Sequence, residues 1–224
     1  DLRDGDLRWE DFLREGDGFS AVARSPDEIT NILFSSGTTG APKALPWTHI
    51  HPIKCGADAH YHQDVHPGDV VAWPTNLGWM MGPWLIYATF LNRATMALYY
   101  GAPTERSFGE FIRDAEVSML GVIPSMVRTW RGTGCMEGID FSAICAFSAT
   151  GECSNAEDMH YLMALSGYRP ILEYCGGTEL AGGYLLSTLV KPVAPSTFNS
   201  ATLGTDLVIL DEAGEVCDRG EVFL

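Results

Sequence analysis

Positive charge is scarce in this chain. Its 224 residues carry 14 Lys and Arg against 29 Asp and Glu, a formal net charge of −15. No basic cluster could neutralise a phosphate backbone, so nucleic acid is not the expected partner and an anionic membrane surface is disfavoured. A small anionic ligand stays open, because a few aligned backbone N–H groups and one lysine make a local positive site. Long hydrophobic runs are lacking too. The most apolar stretch, Val70 to Tyr100, is interrupted by Pro74, Asn76, Pro83 and Asn92-Arg93, which leaves nothing near the ~20 residues of a transmembrane segment. The six cysteines (Cys55, Cys135, Cys145, Cys153, Cys175, Cys217) lack any C-x-x-C spacing. That speaks against a zinc ribbon or redox dithiol and for reduced thiols in an intracellular compartment. The chain opens on Asp1-Leu2-Arg3, without a starting Met or signal-peptide pattern, and ends on Glu221-Val222-Phe223-Leu224. It is expected to be a fragment, truncated at both ends.

What is present fits a packed globular fold, with 46% apolar and 19% charged residues. Ile29 to Phe34 reads as a strand running into a loop, Ser35 to Lys43, after which a helix is expected. The pattern then alternates. Strands are expected at Val70–Trp73, Ala94–Leu98, Ser118–Val122, Ile144–Phe147 and Pro170–Glu173. Helices fall between them at Trp84–Leu91, Phe108–Ala115, Ser125–Arg131 and from Asn155. Strands separated by helical segments of this length form crossover units of a parallel sheet, so the fold class is α/β. Beyond Pro195 the chemistry turns to hairpins, with Asp206–Leu210 and Glu221–Leu224 flanking the turn Asp211–Glu215. A division is expected near Asn199, separating residues 1–198 from the start of a small β-rich subdomain at 199–224.

The loop Ser35-Ser36-Gly37-Thr38-Thr39-Gly40-Ala41-Pro42-Lys43 puts four hydroxyls, two glycines and a lysine directly after a strand. Glycine permits close backbone approach to phosphates, the hydroxyls donate to their oxygens, and lysine adds charge. It is not a Walker loop, because Ala41-Pro42 separate Gly40 from Lys43. A bare Ser/Thr/Gly run is as often an ordinary surface turn; the whole string is far more specific.

That string resembles the phosphate loop of the adenylate-forming, or AMP-binding, enzymes. Ser148-Ala149-Thr150-Gly151-Glu152-Cys153 is similar to the family's adenine-contacting Gly-Glu-Pro segment, with Cys153 in place of proline. Glu173-Tyr174-Cys175-Gly176-Gly177-Thr178-Glu179 is similar to its aromatic-Gly-x-Thr-Glu motif. The run from Gly68-Asp69 through Trp73-Pro74-Thr75-Asn76-Leu77-Gly78-Trp79 to Gly101-Ala102-Pro103 resembles acetyl-CoA synthetase-like members, and among them the plant acyl-activating enzymes.

The resemblance implies the large domain of an acyl-CoA synthetase that lacks its C-terminal domain. The enzyme would activate a carboxylic acid with ATP and Mg²⁺ and pass the acyl group to coenzyme A, while the isolated fragment would be inactive. It implies that Lys43, with Ser35, Ser36, Gly37, Thr38, Thr39 and Gly40, binds the β- and γ-phosphates. Gly151, Glu152, Cys153, Glu173, Tyr174, Cys175 and Gly176 would bind the rest of the nucleotide. Thr178 would contact the α-phosphate and Glu179 would hold Mg²⁺. Trp79, Gly176 and Gly177 would line the acyl pocket. In acetate-activating relatives a tryptophan occupies the position of Gly176, so its absence here implies a medium-chain or aryl-substituted acid. Plant relatives point to the peroxisome, with the cytoplasm as the other setting; oligomeric state is not readable. Two other classes compete. One is a non-catalytic nucleotide-binding homologue. The other is a zinc-dependent hydrolase built on His60, His62 and His66 with Asp58 and Asp64, whose spacing matches no helix-face metal motif.

Overall fold

The computed structural model describes residues 2–13, 16, 18–35 and 40–224. After a short helix, α1 (Trp9–Phe12), strands β1 (Ile29–Ser35) and β2 (Lys43–Thr48) pair antiparallel, with Ser35 opposite Lys43. This corrects the sequence reading, which put a helix directly after the loop. Lys43 instead opens a return strand, and helix α2 (Ile50–Tyr61) begins only seven residues later. Pro46 lies inside β2; a two-stranded sheet consists of edges alone, which tolerate a missing N–H.

The main sheet contains β3 (Val70–Ala72), β4 (Thr95–Ala97), β5 (Met119–Val122), β6 (Ala146–Ala149), β7 (Ile171–Gly177) and β8 (Gly182–Leu186), in the spatial order β4-β3-β5-β6-β7-β8. The first five are parallel and β8 is antiparallel to β7. The crossovers run through α3 (Met81–Leu91), α4 (Arg106–Asp114), α5 (Pro124–Thr133) and α6 (Ala156–Leu165). Local chemistry explains their ends. Pro124 stands in the first turn of α5, and Gly134 closes that helix with φ +67°. The Asn155 side chain accepts the Glu157 N–H at 2.9 Å at the start of α6.

Side chains alternate between two cores, one on each face of the sheet. Leu120, Val122 and Phe147 face α4, α5 and α6, together with Phe108, Ile112 and Trp130. Val71, Trp73, Met119 and Tyr174 face α2, α3 and the β1–β2 hairpin, together with Trp47, Cys55 and Trp84. Gly121 is glycine because a Cβ there would lie 1.9 Å from the Trp73 ring. The two cores also fix where a ligand can enter. The chain leaving β3 turns to the α3 face and the chain leaving its neighbour β5 turns to the α5 face, so a crevice opens at the carboxyl ends of these strands.

The main sheet departs from the sequence reading in three strands, of which β8 was not expected at all. β6 lies two residues later than expected, and β7 runs on to Gly177 because it pairs with β8. After β8 the chain folds back beside it: Leu186 N–H donates to Ser200 O and Thr202 N–H to Tyr184 O, both at 3.1 Å. The last described elements are the antiparallel strands β9 (Val208–Leu210) and β10 (Glu221–Phe223).

Candidate functional site

The two motifs singled out in the sequence meet in one cavity of about 440 Å³ at the carboxyl ends of β6 and β7. It is lined by Thr150, Gly151, Glu152, Cys153 and Ser154 from one segment and by Glu173, Tyr174, Cys175 and Gly176 from the other, with Ser196 and Phe198 opposite. The Thr150 hydroxyl donates to Tyr174 O at 2.6 Å and locks the two segments together. Glu173 is buried at the floor. Its Oε1 accepts the Ser154 hydroxyl at 2.8 Å and the Ser196 N–H at 3.2 Å. Burial pushes the Glu173 carboxyl above the usual carboxylate range, and these two donors only partly oppose that. Its other oxygen, Oε2, is left without a protein donor among the described residues.

The other residues of these motifs are divided in their tasks. The Glu152 carboxylate accepts both the Ser125 N–H and the Ser125 hydroxyl at 3.0 Å, which commits it to the first turn of α5. Cys153 is exposed, so a free thiol stands at the cavity mouth. The Cys175 thiol donates to Tyr184 Oη across the β7–β8 ladder at 2.9 Å, which ties the two strands together below the cavity wall. The Tyr174 ring lies edge-on to Trp73 and Trp84 in the core, so it stabilises the sheet more than it presents to the cavity.

Gly176 requires a correction. The sequence reading took its missing side chain as free space in an acyl pocket. In the structure a Cβ on Gly176 would lie 2.2 Å from the carbonyl oxygen of Gly182 in β8, at an irregularity of the β7–β8 register. The glycine is demanded by close approach of two backbones. Neighbouring Gly177 has more room, with only the Glu179 side chain within 3.4 Å of a Cβ.

A second cavity, of about 330 Å³, fills the crevice between the exits of β3 and β5. Pro74, Thr75, Asn76, Trp79, Tyr99, Gly101, Pro103 and Ile123 line it. Trp79 is 69% exposed there, an aromatic wall with little of its area covered. Glu179 stands elsewhere, at the rim of a third hollow with His51, Lys54 and Thr205, its side chain exposed. Among the described residues it forms no ion pair, and it follows the half-buried Thr178 in the turn between β7 and β8. Lys43 is exposed at the outer end of β2 and Gly40 has φ +114°. Ser36, Gly37, Thr38 and Thr39 of the loop lie outside the described residues.

The histidine group considered for zinc does not converge: the His60 and His66 rings meet edge-on at 4.8 Å, but their nitrogens turn to different partners. His66 Nε2 lies 2.8 Å from Asp64, and His60 Nδ1 faces the Val65 carbonyl. Buried Asp58 pairs with Lys54 and accepts the Gly183 N–H at 2.8 Å. Buried His62 accepts the Leu203 N–H through Nε2 at 3.2 Å. Among the described residues, no group of three or more His, Cys, Asp or Glu side chains is placed to hold a metal. Burial holds His62 below the ordinary histidine value despite the attraction of Asp58. Below about pH 6.5 the unfolded chain therefore takes up a proton that the folded chain refuses, so stability falls as the pH drops toward the lowered folded value. Asp58 and Glu173, raised by burial, act with the opposite sign. Comparing wild type with His62→Gln isolates the histidine: the wild type should lose more of its unfolding midpoint between pH 7 and pH 5. Parallel profiles would count against this assignment.

Comparison with known proteins gives a consistent result. The profile of the family described as "AMP-binding enzyme" matches residues 3–223. The chain is 51% identical over 216 residues to "Probable acyl-activating enzyme 17, peroxisomal" of Arabidopsis thaliana, covering 94% of this chain and 30% of that protein. It is 48% identical over 219 residues to hexanoyl-CoA synthase of Cannabis sativa, covering 96% and 30%. Among solved structures, acetoacetyl-CoA synthetase from Streptomyces lividans superposes with a TM-score of 0.78 at 27% identity, over 85% of this chain and 31% of that one. The chain thus spans about 30% of the length of the curated relatives it matches.

Proposed function

Because the chain belongs to the AMP-binding enzyme family, we propose that it supplies the nucleotide and acyl sites of an enzyme that activates a medium-chain carboxylic acid as its acyl adenylate and transfers the acyl group to coenzyme A. The observation that carries this reading is the convergence of two separate motifs on one cavity beside the sheet's carboxyl edge. The apolar crevice at the strand-order reversal supplies a second compartment on that same edge.

In the first step a carboxylate oxygen bonds to the α-phosphorus of ATP and the bond to the pyrophosphate oxygen breaks. In the second the coenzyme A thiol gives its proton to solvent, its sulfur bonds to the acyl carbon, and the bond from that carbon to the phosphate oxygen breaks, releasing AMP. In-line attack of one anion on another needs positioning and charge neutralisation more than acid–base chemistry. The adenine amine belongs beside Glu173, which is held by Ser154 and Ser196. Lys43, at the tip of the hairpin, neutralises the terminal phosphates, and Thr178 meets the α-phosphate. Mg²⁺ fits Glu179, because this ion is held by one or two carboxylates together with phosphate oxygens and waters, and the Glu179 carboxylate is exposed and unpaired among the described residues. When bound, the ion would offset phosphate charge.

The acyl chain is assigned to the crevice of Trp79, Tyr99 and Ile123. With Gly176 set by backbone packing, preference for a longer acid rests on this apolar wall and on the similarity to hexanoyl-CoA synthase. Each buried methylene contributes about 0.8 kcal/mol, so the four that separate hexanoate from acetate give up to about 3 kcal/mol. A peroxisomal setting is supported by the names of two relatives, both from Arabidopsis thaliana.

Acid-dependent ATP–pyrophosphate exchange in the full-length protein tests the reading. Exchange is expected with hexanoate well above acetate, and Trp79→Ala should narrow that ratio. No exchange with any carboxylic acid would overturn the proposed activity; a preference for acetate would overturn the acyl assignment.

A further inference from the structure

Trp47 has no part in the reaction as derived above, yet it joins the two halves of the phosphate-handling apparatus. It lies on β2, four residues from Lys43, and is 1% exposed. Its indole Nε1–H donates to the carbonyl of Thr178 at 2.7 Å, across 131 residues of sequence. The ring stacks on His51 with centroids 5.7 Å apart and planes within 13°. His51 is itself oriented, because its Nδ1 accepts the Thr48 N–H at 3.0 Å. Lys43, Leu45 and Trp47 alternate onto one face of the strand, so the tryptophan anchors its inner end while the lysine extends about 14 Å outward.

The partner is equally specific. Thr178 opens the turn that carries Glu179, and the nearest backbone donor to its carbonyl within the turn, Ala181 N–H, is longer at 3.4 Å. Ala181 has φ +53°, a conformation that a non-glycine residue keeps only when its surroundings fix it. The indole N–H is thus the shorter of the two bonds to the Thr178 carbonyl and the one that comes from outside the turn, while the Cys55 thiol, a weaker donor, reaches Ala181 O at 3.1 Å.

We propose that Trp47 is a positioning residue: through its Nε1–H it sets the placement of the Thr178–Glu179 turn relative to the strand that bears Lys43. This rests on the adenylation reading above. The inference predicts a loss confined to the nucleotide side of the reaction. A residue that merely fills the core would instead affect the nucleotide, the acid and global stability together.

The test replaces Trp47 in the full-length enzyme with 3-benzothienylalanine, which keeps the bicyclic shape and lacks the N–H; Trp47→Phe serves as a second variant. In acid-dependent pyrophosphate exchange, kcat/KM for ATP should fall about tenfold in the benzothienyl variant. KM for the acid should stay within about twofold and the melting temperature within a few degrees. Hydrogen exchange should accelerate at residues 177–182 without nucleotide present. Unchanged ATP kinetics and unchanged exchange in this turn, with an active wild type, would overturn the positioning role. Equal losses toward ATP and acid, or a collapse in melting temperature, would reduce Trp47 to a packing residue and overturn it as well. A wild type that exchanges no pyrophosphate with any acid would overturn the reaction itself, a result distinct from both.

Discussion

Gly176→Trp is expected to destabilise the protein by about 3 kcal/mol or more, not to trim its substrate range. The first atom of any side chain at this position would lie 2.2 Å from the Gly182 carbonyl oxygen and 3.0 Å from Gly183 Cα. These are backbone atoms of a paired strand, which cannot rotate away as a side chain would, so the cost is that of severe overpacking. Because the Cβ itself makes the clash, Gly176→Ala should fall nearly as far as the tryptophan variant. Denaturant unfolding of both variants would show it. If Gly176→Ala kept wild-type stability while the tryptophan variant shifted preference toward acetate, the open-pocket reading would be restored.

Lys43→Ala should lower kcat/KM for ATP by roughly 10- to 150-fold, the loss of a charge-assisted phosphate contact of about 1.5–3 kcal/mol. Its exposed place at the end of a short antiparallel pair, directly opposite Ser35, means that no core packing depends on it. Stability should therefore be unaffected and KM for the acid nearly so, which separates this residue from Trp47 and Gly176. Pyrophosphate exchange at subsaturating ATP reads the effect directly. An unchanged rate there would remove the loop from the mechanism.

Features set by local chemistry were readable in the sequence. Pro124 and Gly134 bound α5 and Asn155 starts α6, while the apolar run at 119–122 is a strand buried on both faces. The motif residues at 150–153 and 173–176 line one cavity, while Ser154, Ser196 and Phe198, which join them there, carried no signal in the sequence. Two strands were not readable, for two reasons. β2 contains Pro46, which weakens any strand signal, and β8 begins Gly182-Gly183, which looks like a loop until its pairing with Gly176 and Gly177 is known. The roles of Trp47 and Asp58 depend on partners far along the chain, and no periodicity encodes which distant carbonyl or amide will stand opposite; that of Gly176 depends on the close approach of the next strand across a short turn. Glu152 illustrates the same limit, since its motif gives no sign that its carboxylate caps α5.

The contacts that tie α2 and β2 to the β7–β8 turn have a consequence for synthesis. Asp58 meets the Gly183 N–H across 125 residues, Cys55 meets Ala181 O across 126, and Trp47 meets Thr178 across 131. At translation rates of roughly 5–20 residues per second, the amino-terminal partners wait about 6–25 s before their counterparts have been made. During that interval the faces of Trp47, Cys55 and Asp58 that the β7–β8 turn and β8 will cover stay open to solvent, and the long-range closure is still to be achieved after the local helices have formed. The nascent hairpin and α2 therefore stay partly uncovered on the ribosome until the turn bearing Thr178 and Glu179 has been made, and the end of α2 waits longer still, for Leu203 to reach His62 across 141 residues.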